Sequence, residues 1–174
     1  IDGKKNFDIK LGGAYAVDLK AYHGEKIEVA MFSNVYKNLL ADYKVKIDDI
    51  KNRIDIELNR FNEASEADAK ESLVITIFIP IKYIGKIELS VNAGTLNITD
   101  IENEHIEVNG KISEVTLQGN KSEIEIDSNL DMQISVLSHE GALEINQLSA
   151  TSRLTLPADY RFRSTKKGIA THIY

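Results

Sequence analysis

Between Ile87 and Leu156 one small pattern recurs about every nine or ten positions: an aliphatic residue, a polar residue, another aliphatic residue. It begins with Ile87-Glu88-Leu89 and Leu96-Asn97-Ile98 and ends with Leu143-Glu144-Ile145 and Leu154-Thr155-Leu156. Taken alternately, the centres are Glu88, Glu107, Glu125 and Glu144 in one set and Asn97, Thr116, Ser135 and Thr155 in the other, so each set returns after about 19 residues. Successive side chains of a strand point to opposite sides, so each triplet buries its two aliphatic residues and exposes its centre. A unit that short cannot bury its apolar side alone and must stack on its neighbours. The sequence therefore predicts an all-β fold, a two-sheet parallel β-solenoid with two strands per coil. A hexapeptide helix would need an aliphatic residue every six positions, and Gly119 to Glu123 offers none. A calcium-binding nonapeptide roll would need Gly-Gly-x-Gly-x-Asp, which is missing. Gly94, Gly110, Gly119 and Gly141, with Asn92, Asn109, Asn120 and Asn129, fall between triplets, where corners call for positive φ.

The preceding residues read as a strand-rich N-terminal portion, 1–80, that caps the repeat of 81–174 and is either separate from it or continuous with it. Alternation bounded by Gly12-Gly13 and His23-Gly24 predicts three strands, at Phe7–Leu11, Ala16–Ala21 and Ile27–Met31. Asn34 is placed to cap one short helix over Val35–Asp42. Tyr43–Ile47 and Ile54–Leu58 return to period two and predict a strand pair joined near Asp49–Asn52. Asn62–Glu71 is polar and predicts a loop or loose helical turn. Leu73–Ile81, the most apolar run, predicts a strand buried on both sides whose pairing Pro80 ends.

Composition bounds function more by exclusion. The 174 residues carry a net charge of −6 and no cysteine, which rules out disulfides and thiolate chemistry. From Ile87 to Leu156 twelve acids face three bases, so this repeat is a poor surface for nucleic acid or an anionic membrane. No window has the roughly 18 apolar residues of a membrane-spanning helix. The chain begins with neither an initiator Met nor a signal peptide, and it stops after another alternating segment at Lys167–Tyr174; it reads as a piece of a longer protein whose coils continue.

The strand ending at Ile79-Pro80, the run Leu89-Ser90-Val91-Asn92-Ala93-Gly94-Thr95-Leu96-Asn97-Ile98, and later units such as Glu140–Ile145 together resemble the bacterial DUF4097 family of adhesin-like β-strand repeats. The resemblance covers roughly residues 27–174, the repeat half being the more specific. The corner before Val115, Ser113-Glu114, departs from it by lacking the glycine. It implies a parallel β-solenoid from a cell-envelope protein, and it brings no catalytic residues, since "adhesin" in that family is a label of analogy.

Stacked in register, Glu88, Glu107, Glu125 and Glu144 would form an acidic ladder on one sheet, opposite a hydroxyl- and amide-bearing ladder of Asn97, Thr116, Ser135 and Thr155. The candidate partners are a divalent cation, a basic protein or sugar hydroxyls, against a plainly solvated exterior. Asp100, Glu102 and Glu104 share a corner but lack the cleft a glycosidase needs. His23, His105, His139 and His172 lack the spacing of a zinc site and read as surface or turn residues. Tyr15, Tyr22, Tyr36, Tyr43 and Tyr83 read as packing residues, with a sugar-stacking platform as the alternative. P-loop, Gly-x-Ser-x-Gly and Gly-x-Gly-x-x-Gly motifs are absent from the sequence. The expectation is a non-enzymatic envelope or surface-exposed module with no catalytic, cofactor or metal residues; a regulatory protein-interaction scaffold and a polysaccharide-active enzyme are the alternatives.

Overall fold

Aliphatic residues at every second position make strands wherever a neighbour can cover them, and twelve strands form among the described residues. A computed structural model of the chain describes residues 2–33, 35, 43–60, 70–161 and 163. A short 3-10 turn, Asp2–Lys4, precedes β1 (Asn6–Tyr22), β2 (Glu28–Phe32), β3 (Tyr43–Ile50), β4 (Arg53–Arg60), β5 (Val74–Pro80) and β6 (Ile87–Thr99). Then follow β7 (His105–Asn109), β8 (Ile112–Gln118), β9 (Glu123–Asp127), β10 (Gln133–Val136), β11 (Leu143–Asn146) and β12 (Arg153–Thr155). The fold is all-β, and the strands belong to one open, mixed sheet.

The two long strands organise it. The first halves of β1 and β6 belong to a ladder in the order β3-β4-β1-β6-β7-β9-β11. Their second halves belong to another, β2-β5-β1-β6-β8-β10-β12. Pairing is parallel throughout except for β2 with β5 and β3 with β4, which is what makes the sheet mixed. Ile87 and Leu89 of the first ladder and Leu96 and Ile98 of the second are fully buried in a single apolar cluster. The register stacks like on like: Ile87, Ile106, Ile124 and Leu143 form one row, and Leu89, Val108, Ile126 and Ile145 the next. Each fully buried aliphatic side chain contributes about 1.5–3 kcal/mol. Burial holds as far as Val136 and loosens beyond it, for Leu143, Ile145, Leu154 and Leu156 are only partly covered.

Three expectations change. Gly12-Gly13 is not a turn between two strands: β1 runs through it, with a register shift between Lys10 and Gly12. Gly12, at φ 68°, lets one strand bend from the first ladder into the second. β5 is buried on one side only, with Ile75, Ile77 and Ile79 inward and Val74, Thr76 and Phe78 half-covered. Among the corner residues, Gly110, Gly119 and Gly141 have positive φ, but Gly94 does not, and Asp100 is the only non-glycine with positive φ among the described residues. The corner asparagines serve differently, as described below. The antiparallel pair β3–β4 forms where alternation predicts it, and the last residue of β5 is Pro80. Apart from Val35, the expected helix over 35–42 and most of the polar stretch 62–71 lie outside the described residues, although Lys70–Ser72 are helical.

Candidate functional site

Parallel pairing places Glu88 beside Glu107, Glu107 beside Glu125 and Glu125 beside Glu144, so the four predicted glutamates stand in one row on the outer side of the first ladder. The row is longer than the repeat alone suggests. Asp8 lies beside both Glu88 and Asp55, and Asp55 beside Asp48, so it runs through seven acids. Its signal was present in Phe7-Asp8-Ile9 and Ile54-Asp55-Ile56, apolar-acid-apolar triplets like those of the repeat.

Carboxylates one rung apart, ~5 Å, repel by about 0.8 kcal/mol in water, and the chain offsets this with its own cations. Lys86 Nζ lies 3.0 Å from Glu88 Oε1 and 2.6 Å from Glu107 Oε2. Lys10 pairs with Asp8 at 2.9 Å, Arg53 with Asp55 at 2.5 Å and Lys46 with Asp48 at 2.7 Å. The Lys86 hydrogen bond, helped by Asn109, holds the Glu107 carboxyl below its ordinary range. Further along, support thins. His105 lies 3.8 Å from Glu123 and 3.7 Å from Glu125, Asn146 donates to Glu125 at 3.0 Å, and Glu144 is exposed. Among the described residues no three His, Asp or Glu side chains converge as a metal site requires. Asp100, Glu102 and Glu104 are exposed on their corner, with Glu102 paired to Lys121 at 3.1 Å.

On the second ladder Asn97, Thr116, Ser135 and Thr155 also stand in one row, the first three half-exposed and Thr155 exposed, and Asn97 donates to Asp18 at 2.6 Å. At the margin of this ladder is a groove of about 490 Å³, built by residues 113–114, 131–133 and 151–153. Sequence reasoning missed it, because each wall comes from a different corner.

It also missed the corners' second role. Side chains there bond the backbone one rung away: Asn120 Oδ1 accepts from Ile101 N at 3.0 Å while its Nδ2 donates to Ile98 O at 2.8 Å. Asn92 accepts from Lys111 N at 3.0 Å, Ser138 from Gly119 N at 2.8 Å and Asn129 from Leu148 N at 3.2 Å. These bonds satisfy backbone groups that a corner would otherwise leave unpaired. Asn103, Asn120 and Ser122 are buried for this reason.

Of the histidines, His23 is exposed and His105 half-buried, but His139 is not a surface residue. It is 6% exposed, its Nδ1 has no partner, and Tyr160 donates to its carbonyl at 2.7 Å. Burial lowers the pKa of its imidazole, keeping it neutral. A depressed folded value means the associated stability is present above the unfolded imidazole value of about 6.5 and is lost as pH falls through the folded value. Melting temperatures between pH 7.5 and 5 should therefore drop more steeply for the native chain than for His139→Leu; parallel curves would show that His139 takes no part. Of the tyrosines, Tyr43 is fully buried, Tyr22 and Tyr83 are half-buried and pack against Phe78 and Phe7, and Tyr15 is 53% exposed. Tyr36 and His172 lie outside the described residues.

No protein-family model matches the chain, and no curated protein sequence matches it. Its fold is similar to a crystal structure described as "a putative cell adhesion protein from Clostridium sporogenes", with a TM-score of 0.59 and 10% sequence identity, over 88% of this chain and 93% of that one. At that identity the likeness is one of fold. Among the described residues no helix is long and apolar enough to cross a membrane.

Proposed function

We propose that the chain is a non-enzymatic binding or structural module of a bacterial cell surface or envelope. In this reading the two ladders are the two sheets of a parallel β-solenoid advancing 19 residues per coil, as in the corner bonds from Asn120 to Ile101 and Asn92 to Lys111. Membership of the DUF4097 family belongs to the same proposal; it rests on the repeat and the fold. The observation that carries the reading is the likeness, across nearly the whole length of both chains, to a structure named for cell adhesion. The outer faces suit the role, since each presents a repeating polar row to solvent on a rigid frame.

The test is retention of fluorescently labelled protein on intact bacterial cells and isolated cell walls, with the supernatant assayed for released sugar. Saturable retention without release supports the proposal. Release of product that disappears when acids are replaced would make the chain an enzyme, and no retention on any cell surface would favour the regulatory scaffold.

A further inference from the structure

In the groove at the margin of the second ladder three polar side chains stand in line with nothing to hold. Glu114, Gln133 and Arg153 lie side by side on successive rungs, so a carboxylate, an amide and a guanidinium stand in line at a spacing of ~4.8 Å. Among the described residues none of these three side chains makes a hydrogen bond or ion pair, whereas Lys10, Lys46, Arg53 and Lys86 on the other ladder all do. The backbone beneath them is fixed. Asp131 Oδ1 accepts from Thr151 N at 2.7 Å, Ser152 Oγ from Met132 N at 3.2 Å, and Arg153 N donates to Met132 O at 2.8 Å. A site whose frame is already ordered loses little entropy when a ligand arrives.

Charge narrows the class of ligand. Two carboxylates and one guanidinium line the groove, so a polyanion meets net repulsion. A polycation gains from the net single negative charge but meets Arg153 in line with the carboxylates and leaves its guanidinium without an acceptor. An uncharged, hydroxyl-rich chain fits all the groups at once: its hydroxyls donate to Glu114, accept from Arg153, and do both with Gln133. The neighbouring row of Thr116, Ser135 and Thr155 extends the same chemistry across the same three strands.

Building on the reading of the chain as a binding module, we propose that this groove binds an uncharged glycan laid across β8, β10 and β12. Glu114, Gln133 and Arg153 are its principal contacts. The site is shallow and solvent-open, so single-site affinity falls near the millimolar range.

The experiment is an amide NMR titration of the whole chain with cellohexaose and with chitohexaose, a hexagalacturonate and a lysine-rich peptide serving as comparators. Shifts at residues 113–114, 131–133 and 151–153 with a neutral hexasaccharide, weakened about tenfold by Arg153→Met and by Gln133→Ala and unchanged by Glu88→Gln on the opposite ladder, are the expected result. All three substitutions are at exposed positions, and retention of the remaining spectrum verifies the fold. No shift with either neutral sugar at several millimolar, shifts located on the acidic row, or a groove response only to hexagalacturonate or to the peptide would overturn the proposal. A chain that adheres to cell walls yet ignores both neutral sugars would sink this inference and leave the broader binding role standing.

Discussion

Ile126→Asp should cost the fold at least about 4 kcal/mol, while Glu125→Gln, one residue away, should change stability by less than about 0.5 kcal/mol. Ile126 is fully buried between Val108 and Ile145, with no polar group of its own to satisfy. A carboxylate there is an unpaired charge in an apolar row, and protonating it still leaves a hydroxyl without a partner. Against a typical total of about 5–15 kcal/mol, that loss removes a large fraction of the stability. Glu125 faces outward, its Oε1 accepting from Asn146 at 3.0 Å, and glutamine keeps that acceptor. It gives up only the long approach of His105 at 3.7 Å and a repulsion from Glu107 and Glu144. Urea unfolding of the two variants checks this directly. Should Glu125→Gln be the more damaging, the inward and outward sides of the strands have been exchanged.

The rows these substitutions probe were legible because burial imposes them locally. A triplet must alternate to present two aliphatic residues inward, and a 19-residue return brings like residues into register. Hence Glu88, Glu107, Glu125 and Glu144 align as the spacing says. The corners were illegible because their chemistry is decided one rung away: nothing local to Asn120 indicates that it will hold the backbone of Ile98 and Ile101 rather than adopt a positive φ. His139 is hidden for the same reason, buried by its bridge to Asn120 and by Tyr160. Gly12-Gly13 misled because a glycine pair serves a reversing turn and a bent strand equally well. Choosing between them requires knowing that β6 makes the same passage between ladders alongside β1. The groove was illegible in kind, since Glu114, Gln133 and Arg153 become neighbours only through pairing.

Gly110→Ala should destabilise the chain by several kcal/mol, far more than Gly94→Ala, although both glycines occupy the repeat. Gly110 sits at the corner between β7 and β8 with φ at 147°, a conformation costing an L-residue about 1–3 kcal/mol. Its backbone also lies against the preceding rung so closely that an added Cβ would fall 1.7 Å from the carbonyl oxygen of Val91. That oxygen belongs to the backbone of β6 and cannot rotate away as a side chain could. The corner would have to move outward, taking with it the bonds of Asn92 to Lys111 N and of Gly110 N to Asp127 O. Gly94 has no positive φ, and its Cβ would stand 2.9 Å from the backbone oxygen of Tyr15, so the strand must shift there too, but by far less than at Gly110. Chemical denaturation should rank the two variants clearly, with Gly110→Ala having much the lower midpoint. Equal costs would mean that the corner between β7 and β8 yields freely, and the close stacking of one rung on the next would lose its principal support.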